Sequence, residues 1–133
     1  MPLIVADTNV LISSLIGKKL RPFLTALKEG NFELLFSEET FEEIISVLQR
    51  PKFRRYFTDD DRNEFVELMN LQSYFTEISM HITDCRDSKD NIFLECAVAG
   101  DADYIISGDP DLLELNPYKN IPIISPADFL KYL

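Results

Sequence analysis

The chain is poor in the residues that several common chemistries require. It has one histidine, two cysteines and four glycines in 133 residues. A single histidine, His81, excludes acid–base catalysis by a histidine pair, and beside a strand it reads as a structural or surface residue. No glycine-rich loop precedes a helix, so the phosphate cradle of an NTPase is missing. Cys85 and Cys96 are too few for a disulfide scaffold and read as small buried thiols in a reducing compartment. Apolar runs are short: Val10 to Ile16 is interrupted by Ser13 and Ser14, against the roughly 20 residues that span a bilayer. Met1-Pro2-Leu3 carries no basic region or cleavage pattern of a secretory signal. The expectation is a cytoplasmic protein without membrane attachment.

What is present fits one domain over residues 1–133. Apolar residues make up 46% and charged ones 27%, which excludes disorder and fibrous repeats. The net charge of −10, taken as a whole, argues against a nucleic-acid partner. It is unevenly spread. Residues 1–62 hold 9 Lys/Arg against 10 Asp/Glu, whereas residues 63–133 hold 4 against 13. The acid excess is local.

Strand and helix patterns alternate along the chain. Leu3-Ile4-Val5-Ala6 reads as a strand buried on both faces, followed by a helix over Val10–Ile16 that stops at Gly17. Pro22 opens a second helix and Gly30 closes it. Phe32–Phe36 is the next strand, and Ser37 caps a helix over Glu38–Gln49 with Phe41, Ile44, Ile45 and Leu48 as its apolar stripe. Thr58 caps a helix from Asp59 to Leu71, with Phe65, Leu68, Met69 and Leu71 inward. Tyr74–Ser79 reads as strand, extended by His81-Ile82. A helix from Ser88 or Lys89 to Ala99, a strand over Tyr104–Ser107, a short helix after Asp109, a strand at Ile121–Ile124 and a helix to Leu133 complete the chain. The pattern predicts a three-layer α/β/α fold around a central, mainly parallel sheet of about five strands. Sites in such sheets lie beyond the carboxyl ends of the strands, where the winding reverses.

The acids fall there. Asp7 follows the first strand directly, and Asp109 follows the fourth by two residues. Asp90 shares a helix face with Phe93, Leu94 and Ala97, so its carboxylate continues a core-facing stripe, which is costly without compensation. Glu43 borders the apolar arc of its helix, where Glu39 and Glu42 compete with it. Taken singly, each acid is as well explained as a helix cap or a solvated group. Converging at one sheet edge, they would repel one another, and a hard divalent cation, Mg²⁺ or Mn²⁺, relieves this.

At these residues the sequence resembles the PIN-domain nucleases. The likeness rests on four blocks in the family's order: Ile4-Val5-Ala6-Asp7-Thr8-Asn9-Val10-Leu11, Glu43 to Phe53, Arg86 to Leu94, and Ala102 to Leu113. It is closest to the prokaryotic subgroup described as toxin components of toxin–antitoxin systems. The resemblance implies a Mg²⁺- or Mn²⁺-dependent endoribonuclease whose acidic metal-binding set is Asp7, Glu43, Asp90 and Asp109. It implies supporting polar groups at Asn9 and Ser107, and a role for Asp111, less so Asp87, in holding a metal-bound water. Products would carry a 5′-phosphate and a 3′-hydroxyl. A cognate antitoxin and pairing into a homodimer or higher homo-oligomer are also implied. Pro110 departs from the subgroup, where a charged residue is common at that position.

Substrate grip is expected from Arg50-Pro51-Lys52-Phe53-Arg54-Arg55-Tyr56-Phe57, whose mix of cations and aromatics suits single-stranded nucleic acid, although a solvated linker anchored by its aromatics accounts for any one of these residues nearly as well. Arg50, Lys52, Arg54 and Arg55 are the RNA-binding candidates, and Lys18, Lys19 and Arg21 form a second basic edge. Two other readings share the fold class. A phosphorelay receiver needs a lysine after its last strand, and Ile123-Ile124-Ser125-Pro126-Ala127 has none. A haloacid-dehalogenase-type phosphatase needs an acid where Asn9 stands. A catalytically weak PIN-like module that binds RNA or protein remains the alternative, and it gives no reason for the four acids.

Overall fold

Leu3–Ala6 (β1) is an apolar run with neighbours on both sides, and its two ladders set the sheet. The computed structural model describes Met1–Leu133. β1 pairs with Glu33–Phe36 (β2) through Ile4 opposite Leu34, and with Tyr104–Ile106 (β4) through Val5 opposite Ile105. Ser73–Phe75 (β3) lies outside β2, and Ile123–Ile124 (β5) outside β4. All four pairings are parallel, and the order is β3-β2-β1-β4-β5. The winding reverses between β1 and β4, so the crevice for a ligand opens beyond their carboxyl ends.

Helices cover both faces, completing the α/β/α layers. Thr8–Ile16 (α1), Arg21–Lys28 (α2), Glu38–Leu48 (α3), Asp59–Leu71 (α4) and Pro126–Leu130 (α7) pack with Ile4, Ala6, Leu34 and Phe36 in one core. Asn91–Ala99 (α5) and Pro110–Leu113 (α6) pack with Val5, Leu35 and Ile105 in the other. Alternate strand residues thus feed alternate cores, as the pleat dictates. Phe23, Phe32 and Phe129 form an aromatic cluster with ring centroids 4.9, 5.3 and 6.2 Å apart, fixing α7 to α2. Ser37 and Thr58 cap α3 and α4 as their sequences require, each within a reciprocal capping box. Cys85 and Cys96 are buried and unbridged. No helix is long and apolar enough to cross a membrane.

Several elements differ from the sequence pattern, each for a visible reason. β3 ends at Phe75 instead of reaching Ser79, and His81-Ile82 is not strand. As an edge strand it has only β2 to pair with, and β2 gives way to the Ser37 cap. The last rung is Thr76 N–H to the Phe36 carbonyl. Leu71 is exposed because it follows Asp60, Glu64 and Glu67 on the acidic face of α4, while Phe65 and Met69 are buried. On α3, Val47 is buried alongside Ile44 and Leu48, whereas Phe41 and Ile45 are half-buried. The helix expected from Ser88 is a 3₁₀ turn over Ser88–Asp90 followed by α5, which makes Asp90 the cap residue of α5. α7 stops at Leu130.

The segment from Thr76 to Asp87 lacks regular structure and is secured by side chains. The Ile82 N–H donates to buried Glu95 at 2.9 Å, the Cys85 N–H donates to buried Asn91 at 2.9 Å, and the Tyr118 hydroxyl donates to Asp84. α5 therefore holds the approach to Asp87 as well as the core.

Phe129 is fully buried, so Phe129→Ala removes the anchor of α7. Urea unfolding is expected to show a loss of about 3–5 kcal/mol, the usual cost of truncating a core phenylalanine. A loss below about 1 kcal/mol would show that α7 does not pack as described.

Candidate metal centre

Asp7 is the first residue past β1, and three constraints hold its carboxylate. Its own N–H continues the ladder to the Ile106 carbonyl at 3.1 Å. One carboxylate oxygen caps α1 by accepting from the Val10 N–H at 2.9 Å, and the other accepts from the Ser107 hydroxyl. The residue is 4% exposed. Burial pushes its carboxyl above the ordinary range and the charge of Asp109 adds to this, while the bonds from Ser107 and Val10 oppose it.

Ser107 is fully buried and links the strand ends. Its oxygen donates to Asp7 and accepts from the Asp109 N–H at 2.9 Å. Asp109 in turn caps α6, accepting from the Asp111 N–H at 2.9 Å. Across the crevice, Asp87 caps the 3₁₀ turn through the Lys89 N–H at 3.1 Å, and Asp90 ends that turn. Ligand oxygens of Asp87, Asp90 and Asp109 lie within 4.8 Å of one another.

Three carboxylates at that spacing are strained without a counter-charge. Ionised carboxylates within 4.8 Å of one another repel, most of all where burial removes the screening solvent, as at Asp90. A neutral hydrogen bond returns only about 1 kcal/mol. Asp90 shows the imbalance most clearly: its Oδ2 is buried and has no hydrogen-bond partner. Burial above all, then hydrogen bonding with Asp109 and the charges of Asp109, Asp87 and Asp7, raises its carboxyl to about 7. An oxygen-only donor set with one orphaned buried oxygen fits a hard divalent cation such as Mg²⁺ or Mn²⁺.

Other expected residues divide between the site and its surroundings. A cleft of about 200 Å³ is lined by Asp7, Glu43, Asp87, Asp90 and Asp109 together with Arg50 and Lys52. All four acids singled out by the sequence therefore share one cleft, although Glu43 and Asp7 lie outside the closest group. Asn9 is exposed at its rim. Asp111 lines neither this cleft nor the close group, and its backbone N–H is what reaches Asp109. Arg54 and Arg55 are exposed beyond the lining, as are Lys18 and Lys19. Two polar lining residues, Lys89 and Thr8, carry no signal in the sequence pattern. Lys89, between two acids of the cluster, places a third cation in the cleft, and Thr8 lines it with a buried hydroxyl that has no partner. Asp87, a minor candidate by sequence, joins the close group because the 3₁₀ turn folds it back toward Asp90.

In chelator, the raised Asp90 carboxyl gives a definite pH dependence. The folded chain binds this proton more tightly than the unfolded chain, so stability falls as pH rises toward 7. Thermal melts are expected to show a higher Tm at pH 5.5 than at pH 8. Asp90→Asn should melt higher than the wild type at pH 8 and lose most of that slope. An unchanged slope in the variant would remove Asp90 as its source.

The family model described as PIN domain matches residues 3–111, a span that contains every acid named above. Curated proteins give no match. Among solved structures, VapBC2 from Rickettsia felis, crystallised with a DNA fragment from their promoter, is similar with a TM-score of 0.55. It has 10% identity over 92% of this chain and 98% of that chain. PAE2754 from Pyrobaculum aerophilum is similar with a TM-score of 0.59 and 14% identity, over 98% of this chain and 88% of that chain. These two likenesses concern the fold, and the family follows from the matched span. The chain belongs to the PIN-domain family.

Proposed function

We propose that this protein is a Mg²⁺- or Mn²⁺-dependent endoribonuclease acting in the cytoplasm as the toxin component of a toxin–antitoxin system. The observation that carries the nuclease reading is the orphaned Asp90 oxygen in a carboxylate group that also faces Arg50, Lys52 and Lys89. Acids suited to a cation and cations suited to phosphate share one crevice, at the position where parallel sheets place ligands. The toxin reading rests on the four sequence blocks and on a fold shared with VapBC2, a protein seen on DNA from its promoter. It implies a cognate antitoxin and self-association into a homodimer or higher homo-oligomer.

In this reading Asp7, Glu43, Asp90 and Asp109 hold the ion, with Asp87 beside them. The bound ion would lower the pKa of a water and offset charge developing on the phosphate. The chain's own residues supply placement. Ser107 fixes the separation of the Asp7 carboxylate and the Asp109 backbone through one hydroxyl. The Asp111 N–H turns the Asp109 carboxylate toward the crevice by holding its Oδ1. Arg50, Lys52 and Lys89 receive the phosphates, with Arg54 and Arg55 extending the basic surface. Hydrolysis leaves a 5′-phosphate and a 3′-hydroxyl.

Cleavage of single-stranded RNA is expected to require Mn²⁺ or Mg²⁺ and to stop on chelation. Asp7→Asn and Asp109→Asn should abolish it, and Ser107→Ala, which disturbs only placement, should reduce it about 10–100-fold. The same Asp7→Asn exchange should relieve the growth arrest that expression of the wild type causes in a prokaryotic host. Full cleavage by Asp7→Asn or Asp109→Asn would overturn the mechanism, and a harmless wild type would overturn the toxin assignment.

A further inference from the structure

The carboxylates are flanked by two clefts, and only one has been assigned a role. The second, of about 410 Å³, shares Asp7, Asn9 and Asp109 with the first and continues past them to Ser13, Leu20, Gly108, Pro110 and Pro126. Its size lies within the range of small-molecule sites. Its chemistry is the opposite of its neighbour's. The first cleft adds Arg50, Lys52 and Lys89, whereas the second adds no charged group of its own. Uncharged polar groups and two proline rings suit a base and a sugar, not a phosphate.

Gly108 supplies an independent observation. Its φ lies outside the left-handed region, in which Gly30 is the only glycine. A Cβ built at Gly108 would meet nothing within 4 Å, whereas at Gly100 it would lie 2.3 Å from Leu35. Neither backbone conformation nor packing in the folded chain calls for glycine at 108. Its bare backbone is exposed on the lining of the second cleft beside Asp109, where a ligand can lie against the peptide.

We infer that a single RNA strand crosses both clefts. Its phosphates on one side of the reacting bond lie on Arg50, Lys52 and Lys89, and the nucleoside on the other side sits between Ser13 and Gly108. The Asn9 amide and the Ser13 hydroxyl are the polar groups that face its sugar and base edge. The inference rests on the ribonuclease reading and deepens it: the enzyme selects a strand that continues past the cut as a nucleoside, and binds that nucleoside without a charge contact.

The test is equilibrium binding of a fluorescein-labelled single-stranded RNA in chelator, followed by anisotropy over a salt series. Ser13→Trp and Gly108→Val fill the second cleft. Gly108→Val does so at a position with open space, so its Tm reports folding independently. Each is expected to weaken binding about tenfold, the scale of one lost base contact, with wild-type Tm and an unchanged slope of log K against log salt. Lys89→Glu should instead reduce that slope by about one. Thr25→Trp, exposed on α2 and away from both clefts, should bind as the wild type. Wild-type affinity in both cleft variants would overturn the inference and leave the ribonuclease reading standing. Weaker binding with a reduced salt slope would also overturn it, since phosphate contacts would then have been lost. A wild type that binds no RNA would overturn both.

Discussion

Mutual repulsion among carboxylates at one sheet edge is the constraint on which the rest of the structure turns. Asp7, Asp90 and Asp109 are brought together by the backbone, not by attraction. The parallel order β3-β2-β1-β4-β5 puts the ends of β1 and β4 side by side at the winding reversal, and α5 carries Asp90 across from the other core. Two buried hydrophobic cores supply the free energy that holds the charges there. The local devices are weak by comparison. A serine hydroxyl, two helix caps and a 3₁₀ turn orient the carboxylates without neutralising them. The raised Asp90 carboxyl answers part of this repulsion with a proton, and a divalent cation would answer it without that proton.

The same constraint explains how a protein with a net charge of −10 can serve as a nucleic-acid enzyme. Five acids, Asp7, Glu43, Asp87, Asp90 and Asp109, line the one cleft where a cation would offset them, and Arg50, Lys52 and Lys89 stand in the same cleft. In the proposed function a strand would meet this short row of cations, not a basic face. Other acids, among them Asp60, Glu64 and Glu67, lie on solvated helix surface. Net charge describes the whole molecule poorly because its two signs are sorted by position.

Much of this was legible in the sequence. Continuous apolar runs marked β1, β2 and β4 because strands buried on both faces leave no alternation to misread. Ser37 and Thr58 marked their helices because a capping box is local. The acids were legible through position: Asp7 and Asp109 needed only the strand ends, and Asp90 needed only the stripe of α5. What stayed hidden depended on contacts distant in sequence. The early end of β3 follows from β2 giving way to the Ser37 cap. The closeness of Asp87 to Asp109 follows from a turn secured by Asn91 and Glu95, whose carboxamide and carboxylate look solvated in the sequence and are buried in the fold. Lys89 is hidden for the same reason: a lysine between two aspartates reads as surface until the turn faces it into the cleft. Leu71 was misassigned by its side-chain type, since its spacing from Asp60, Glu64 and Glu67 puts it on the acidic face of α4.

The central claim is that Asp7, Glu43, Asp90 and Asp109 hold a divalent cation, and direct titration with Mn²⁺ tests it without reference to cleavage. Free Mn²⁺ measured by electron paramagnetic resonance should fall as metal-free protein is added. The binding should be lost in Asp109→Asn and strongly weakened in Asp90→Asn. Glu39→Gln, on an acid of the same helix as Glu43 that does not line the cleft, should leave it intact. Equal Mn²⁺ binding by the wild type and Asp109→Asn, or none by the wild type, would contradict the account.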